Sequence, residues 1–539
     1  MSIADIKYKE LIKDIYENGS WDSDKEVRAK YADSTPAYCK SVFGRQIVFE
    51  EDELPLLTCK KVFTKTAIKE MILFWIKQSV KKEDFLEDSV KIWDEWFQED
   101  NTLGKSYAYQ FESNPTKSII KVDTRIKEPQ DYIPYIIFDK YTIPHLVHSR
   151  SGEILENEKY GSYEILGKSL EEDYKYVIRF SRTNNIVLVN RSDLNKNIVK
   201  DCYQKIGYNG FGCIGNINNI KNISKEQLIN LKQIWTNMLH RCYNPEDKDY
   251  NNYGAKGIFV ENNWQCFEFF VKDLKLIPQY FLAKKDNFKG WNLDKDYFNS
   301  NCYSKDTCVF LTKQENILYS FSKPFIINGP LINDLYISQT EAAKDLLVDS
   351  SSISAVLLNK YNTIKKHTVN YLETNDIYRY KISKNQVVEL INNIKNNPTS
   401  KRLLTSFWNY EDVEDKALQE CAFQTQWNIR GDKLDLILTQ RSGDLGLGVP
   451  FNWFQYKVLQ LFIAHCTGYK AGRFIHHVGN LHYYDRHESV LLSQLELQEF
   501  EQPTIELKLT NQDYFDITAN DIEVKNYICG PYLSMEVAI

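Results

Sequence analysis

The sequence predicts an α+β protein in which one domain is interrupted by another. Strand-like and helix-like stretches mix in 1–111 and 384–539 without βαβ alternation, the pattern of helices packed on a mixed sheet. Between them, 112–383 changes texture, becoming rich in Asn, Tyr, Ile and Lys, and its last part reads as a helix-turn-helix. A chain of 539 residues also exceeds one ordinary core, so two or three domains are expected.

In the first segment Val42-Phe43-Gly44-Arg45-Gln46-Ile47-Val48-Phe49 mixes alternation with β-branched residues and reads as a strand. Over 64–77, Ile68, Met71, Ile72, Trp75 and Ile76 recur at helical spacing. The last segment opens with a helix over 386–395, stopped by Asn396-Asn397-Pro398. Strands follow over 403–408, 423–429 and 434–440, then an apolar helix over 453–466. In the middle, 119–215 alternates in short runs and is expected to be β-rich. Helices over 339–346 and 349–357 form the helix-turn-helix.

The net charge of −6 divides into about +4 over 112–383 and about −10 elsewhere, a tilt that suits a middle segment meeting nucleic acid. No apolar run approaches the roughly 20 residues that span a bilayer, so no membrane partner is expected. Residues 1–7 lack the apolar stretch of a secretory signal. Eleven cysteines, an odd number without CxxC pairs, argue against a disulfide framework or a standard zinc site. A reducing cytoplasm is the expected compartment, the host's if the chain is phage-encoded.

Two motif series lie at opposite ends. The front carries Ser41-Val42-Phe43-Gly44-Arg45-Gln46, Pro55-Leu56-Leu57-Thr58-Cys59-Lys60-Lys61, Ile92-Trp93-Asp94-Glu95-Trp96 and Tyr107-Ala108-Tyr109-Gln110-Phe111. The back carries Gln440-Arg441-Ser442-Gly443-Asp444, Leu447-Gly448-Val449-Pro450-Phe451-Asn452 and Leu481-His482-Tyr483-Tyr484. Read with the middle removed, they resemble the thymidylate synthase family, in particular its Bacillus and phage branch. The resemblance implies that 1–111 and 384–539 are two halves of one methyltransferase fold, with dUMP as substrate and 5,10-methylenetetrahydrofolate as co-substrate.

Methylating C5 of uracil requires a thiolate to add to C6 first, which turns C5 into a carbon nucleophile. Cys421 stands at the family's nucleophile position, in Ala417-Leu418-Gln419-Glu420-Cys421-Ala422. Glu420 replaces the family's usual proline, and a carboxylate so close is expected to raise the thiol pKa and slow the addition. The resemblance implies a catalytic set of Cys421, Glu70, Tyr107, Arg441 and Asn452. Glu70 would move protons around O4, Tyr107 would belong to the network removing the C5 hydrogen, and Asn452 would read the uracil edge with its donor and acceptor. Relatives specific for cytosine carry Asp at that position, so dUMP is expected rather than dCMP.

Substrate binding is implied for Gln440, for Arg441 and Ser442 at the phosphate, and for His482 and Tyr484 at the deoxyribose. Lys401 and Arg402 match a basic pair that reaches the partner subunit's phosphate, which implies a homodimer with shared sites. Lys401, where the family usually has arginine, trades a bidentate contact for a point charge. The family's phosphate arginine in the N-terminal loop is expected to be missing, with Asp33-Ser34-Thr35-Pro36-Ala37 in its place. Folate contacts are implied for Asp444, Trp93, Lys60 and the terminal Ile539, and no metal for this reaction. Trp93 and the tail Glu536-Val537-Ala538-Ile539 favour a dry site and hydride transfer over water attack. The alternatives are a dUMP hydroxymethylase on the same fold, and an inert synthase scaffold serving as a DNA-binding protein.

The middle carries Trp235-Thr236-Asn237-Met238-Leu239-His240-Arg241-Cys242-Tyr243-Asn244-Pro245, Tyr253-Gly254-Ala255-Lys256-Gly257, Leu293-Asp294-Lys295-Asp296 and Tyr303-Ser304-Lys305-Asp306-Thr307. These resemble phage proteins grouped with HNH-type homing endonucleases, covering 225–320 and followed by the helix-turn-helix of 330–375. The resemblance implies double-stranded DNA as a partner of 225–375. Nuclease chemistry would fall to His240 with Asp294 and Asp296, yet a His-Asn-His constellation is missing, so binding without cleavage is expected. Lys360, Lys365 and Lys366 are the basic support near the second helix. An intein is not expected, because Lys381-Ile382-Ser383-Lys384-Asn385-Gln386 lacks the His-Asn pair of a splice junction.

Overall fold

The computed structural model describes residues 2–112, 119–122, 143–170, 172, 174–207, 210–382, 384–509 and 513–538. The chain divides into two compact units, one formed by Met1–Ser113 with Lys384–Ile539 and the other by Asn114–Ser383.

Among the described residues, the first unit is built on a six-stranded mixed sheet. Its strands are β1 (Ser20–Trp21), β2 (Cys39–Phe49), β3 (Leu404–Ser406), β4 (Ala422–Arg430), β5 (Lys433–Asp444) and β6 (Lys470–Tyr484). They lie in the order β1-β2-β6-β5-β4-β3. Every neighbouring pair is antiparallel except β5 and β6, which run parallel. A parallel pair needs a long crossover, supplied here by the helix Gly448–Thr467. One βαβ unit is therefore present where the sequence suggested none. The strand after this helix, β6, was not expected. The helix itself was expected over 453–466 and starts five residues earlier, with Pro450 tolerated in its first turn. Gly468, at φ +81°, ends it in the left-handed conformation that glycine adopts freely.

The stretch 64–77 is not one uniform helix. It is α-helical over Thr64–Met71 and widens to a π-turn over Ile72–Ile76, where the Lys77 amide bonds Ile72 O at 2.8 Å. All five π-turn residues are buried. Glu70, Met71, Phe74 and Trp75 consequently line one cavity, an arrangement that fits the tendency of π-turns to occur at functional sites.

In the second unit, strands between His145 and Asn190 form a five-stranded sheet around Tyr163, Ile165, Ile178 and Phe180. The helix Lys225–Tyr243 starts at a capping box made by Ser224 and Gln227. Further along, a three-stranded sheet (Phe325–Asn328, Asn333–Tyr336, Thr368–Tyr371) shares one core with the helices Gln339–Leu346 and Ser350–Leu357. The unit's first and last strands, Ile119–Val122 and Ile377–Tyr380, pair antiparallel, so its entry and exit lie side by side. Adjacent ends are the geometry that lets a domain sit within a surface loop of another.

Candidate active site

Parallel pairing sets Ser442 opposite Asn480 and Asp444 opposite His482, so the C-terminal ends of β5 and β6 present polar residues together. Strand alternation sends Gln440, Ser442 and Asp444 to one face and Arg441 to the other. A cavity of about 250 Å³ opens there. It gathers Glu70, Trp93 and Tyr107 from the front segment with Cys421, Gln440, Ser442, Asp444, Asn452, His482 and Tyr484 from the back.

Cys421 immediately precedes β4, and its half-buried thiol lies 3.9 Å from Arg441 Nη2. Burial pushes the thiol pKa up, Arg441 and Arg28 draw it down, and Glu420 and Asp444 add to the rise. Arg441, on β5, is fixed by the loop before β4, donating Nε to Glu420 O and Nη2 to Gln419 O, each at 2.9 Å. The guanidinium is exposed and so remains open to an anion.

One expectation about this neighbourhood holds in direction and another needs correction. Glu420 does not face the thiol as a free carboxylate. It is fully buried, pairs with Lys416 Nζ at 2.7 Å, and accepts the Tyr107 amide at 2.8 Å. Its charge still raises the Cys421 pKa, as expected, behind burial and against Arg441. The corrected expectation is that the N-terminal loop lacks an arginine at the site. Arg28, exposed in the loop before β2, acts on both Cys421 and Tyr484 through its charge. A lone arginine in an irregular loop has no period to mark it, and only the fold reveals its proximity.

Glu70 is buried and its pKa rises to about 7 because burial disfavours the charge, against hydrogen bonds from Trp93 and Gln455. Trp93 Nε1 donates to Oε1 at 2.9 Å and Gln455 Nε2 to Oε2 at 2.7 Å. Gln455 went unnoticed in the sequence, although it lies one helical turn from Asn452, whose Nδ2 donates to its Oε1 at 3.3 Å. Burial raises the Tyr107 and Tyr484 hydroxyls and lowers His482. His482 Nδ1 lies 2.9 Å from Asn480 Oδ1.

Gln440 is held from behind. The Trp453 indole can only donate, so His476 Nδ1 accepts from it at 2.9 Å. His476 Nε2 then carries the proton and donates to Gln440 Oε1 at 2.9 Å, and Gln440 Nε2 donates to Ser442 O at 2.8 Å. Burial lowers the His476 pKa to about 3, so the ring is neutral at ordinary pH.

Some expected residues are not brought to the cavity. Lys60 is buried and donates to Tyr8 OH at 2.9 Å and Gly446 O at 2.7 Å, with burial lowering its pKa to about 8. Lys401 and Arg402 are exposed and do not line the cavity of their own chain. Ile539 lies outside the described residues. The tail before it is anchored: Arg486 Nη1 donates to Glu536 Oε2 and His487 Nε2 to Glu536 O, both at 2.7 Å. His487 Nδ1 lies 3.9 Å from Asp444 Oδ1, beyond hydrogen-bond reach.

In the second unit His240 is half-buried on the helix Lys225–Tyr243. Asp294 ends the strand Trp291–Asp294, where burial raises its pKa, and Asp296 pairs with Lys295. Among the described residues, no group of three His, Cys, Asp or Glu side chains could hold a metal ion. Lys365 donates to Leu346 O and Leu347 O, each at 2.9 Å, whereas Lys360 and Lys366 are exposed.

The thymidylate synthase family profile matches residues 6–138 and 353–539. Thymidylate synthases of Bacillus mojavensis and Bacillus phage phi3T, and thymidylate synthase 1 of Bacillus subtilis, are each 42% identical to this chain over 154 residues. Each alignment covers 29% of this chain and 55% of the relative, so the chain spans about half the length of the curated relatives it matches. Among solved structures, thermostable thymidylate synthase A from Bacillus subtilis is 21% identical with a TM-score of 0.48, covering 99% of both chains. The family match takes in both flanking segments and together exceeds half the chain, and on that match the chain belongs to the thymidylate synthase family.

Proposed function

We propose that the first unit converts dUMP to dTMP with 5,10-methylenetetrahydrofolate, through a covalent bond between Cys421 and C6 of the base. The observation that carries this reading is the shared cavity, which joins a thiol flanked by arginines to Glu70, Tyr107 and Asn452. Arg441 and Arg28 hold the phosphate and favour the thiolate. Cys421 Sγ adds to C6, and C5 attacks the one-carbon unit that the folate supplies. Tyr107 belongs to the network that takes the C5 proton, and Glu70, with a pKa near 7, relays protons at O4. Tetrahydrofolate then leaves the methylene and returns a hydride to it, giving dihydrofolate and a methyl group, as Sγ departs from C6.

Hydroxymethylation, in which water takes the place of that hydride, is the second reading. Buried Trp93 beside Glu70 and the tail anchored through Arg486 and His487 favour the dry outcome. A homodimer fits the exposed Lys401 and Arg402, free to serve a partner's phosphate, and Phe43 on β2, 81% exposed. For the second unit we propose double-stranded DNA binding through 225–375, supported by the helix pair 339–357 and exposed Lys360 and Lys366. A chain with inert synthase halves would bind DNA and not dUMP.

The test uses C5-tritiated dUMP and methylenetetrahydrofolate, with product mass determined. Tritium release with dTMP and dihydrofolate is expected, and Cys421→Ala should abolish it. Hydroxymethyl-dUMP as product would move the assignment to the hydroxylating reaction. Release that survives Cys421→Ala would overturn the covalent mechanism.

A further inference from the structure

Glu420 occupies a position that would place a carboxylate against the nucleophile, and the fold turns it elsewhere. Its side chain is fully buried with that of Lys416, and Lys416 Nζ bonds Oε2 at 2.7 Å. The other oxygen, Oε1, accepts the backbone N–H of Tyr107 at 2.8 Å. Tyr107 has φ +44°, a conformation disfavoured for any residue with a Cβ, so its backbone needs an external hold. The backbone of Cys421 acts on the hydroxyl of the same side chain, opposing the rise that burial gives it. Besides the Tyr107 amide bond to Glu420, Ser106 Oγ donating to Leu418 O at 3.0 Å ties the two segments together.

We propose that Glu420, neutralised by Lys416, is a positioning residue that fixes Tyr107 against the reacting face of the cavity. The inference rests on the dUMP-methylating reading above. The ion pair supplies a buried acceptor to an amide in an unfavourable conformation, and Lys416 makes that acceptor tolerable beside a thiol that must ionise. Lys416 itself is held by Phe407 O at 3.2 Å and lies 5.7 Å from the Trp408 ring centroid, so the pair belongs to a packed wall rather than a solvated loop. Glu420 touches no reacting atom, and its effect passes through Tyr107.

The test compares two uncharged double variants of the full chain, Lys416→Met/Glu420→Gln and Lys416→Met/Glu420→Met. Both remove the buried charges and keep similar volume, and only the first retains an oxygen for the Tyr107 amide. The Gln variant should keep kcat for tritium release within about threefold of the parent chain, because the acceptor survives. The Met variant should lose about tenfold or more in kcat with KM for dUMP little changed, since the substrate's own ligands are untouched. Faster amide exchange across 103–112 in the Met variant than in the Gln variant should accompany that loss. Equal kcat and equal exchange in the two, with the parent chain active, would overturn the proposal while leaving the methylation reading intact. No release from the parent chain would sink the methylation reading and this inference with it.

Discussion

The Trp93 indole N–H reaches Glu70 Oε1 at 2.9 Å inside the cavity. This bond favours the ionised carboxylate and opposes the burial that lifts the group to about 7. Trp93→Phe keeps a ring against Phe74 and Tyr107, whose centroids lie 5.3 and 5.4 Å away, and removes only the donor. The Glu70 transition in the pH–rate profile should then move upward by about one pH unit. A downward move would mean that the indole does not stabilise the charged form.

The same carboxylate makes folding pH-dependent. Its folded pKa is raised from 4.5 to about 7, so the native state holds its proton more tightly than the unfolded chain between those values. The stability this contributes is complete below pH 4.5 and is lost as pH rises through 7, an effect on the order of 3 kcal/mol. Glu70→Gln should remove that slope. Denaturant unfolding of parent and variant across this window should show the variant gaining relative stability with rising pH and levelling off above 7.

How much of this was legible in the sequence depends on the residue. Cys421, Asn452 and His482 stand in strings that travel together, and the cavity brings them together. Strand alternation could be read from Leu434, Leu436 and Leu438, all fully buried. The orientation of Glu420 was not legible, because its partner four residues back meets it outside a helix, where spacing says nothing about contact. The crossover between β5 and β6 was hidden although its helix was read, because the strand that completes it, Lys470–Tyr484, carries Gly472 and Gly479 and lacks a regular alternation. Arg28 was invisible for a third reason: its closeness to the thiol depends on how an irregular loop folds back.

The arginines beside Cys421 should set its reactivity. Arg441 is the strongest influence opposing burial at the thiol, followed among the cations by Arg28. Arg441→Gln should therefore raise the thiol pKa, and Arg28→Gln should do so by less. Rates of Cys421 alkylation by iodoacetamide, followed by peptide mass against pH, should fall in that order at pH 7. Unchanged rates in both variants would mean that the thiolate gains nothing from either guanidinium.

His476 offers the complementary case, a buried base behind the substrate face. Nδ1 accepts from Trp453 and Nε2 donates to Gln440, so a second proton would put two donors against each other and bury a charge. The folded pKa of about 3 lies below the unfolded 6.5, so stability is intact above 6.5 and falls as pH drops toward 3. The slope from this one group should be about 1.4 kcal/mol per pH unit. His476→Gln keeps one donor and one acceptor and does not titrate, so the difference in unfolding free energy between variant and parent should change by that slope over the window. His476→Phe deletes both bonds and should instead free Gln440, raising KM for dUMP even at pH 8. A pH-independent difference for the Gln variant would show that the ring takes up its proton as readily in the folded as in the unfolded chain, and the relay from Trp453 to Ser442 would then be wrongly drawn.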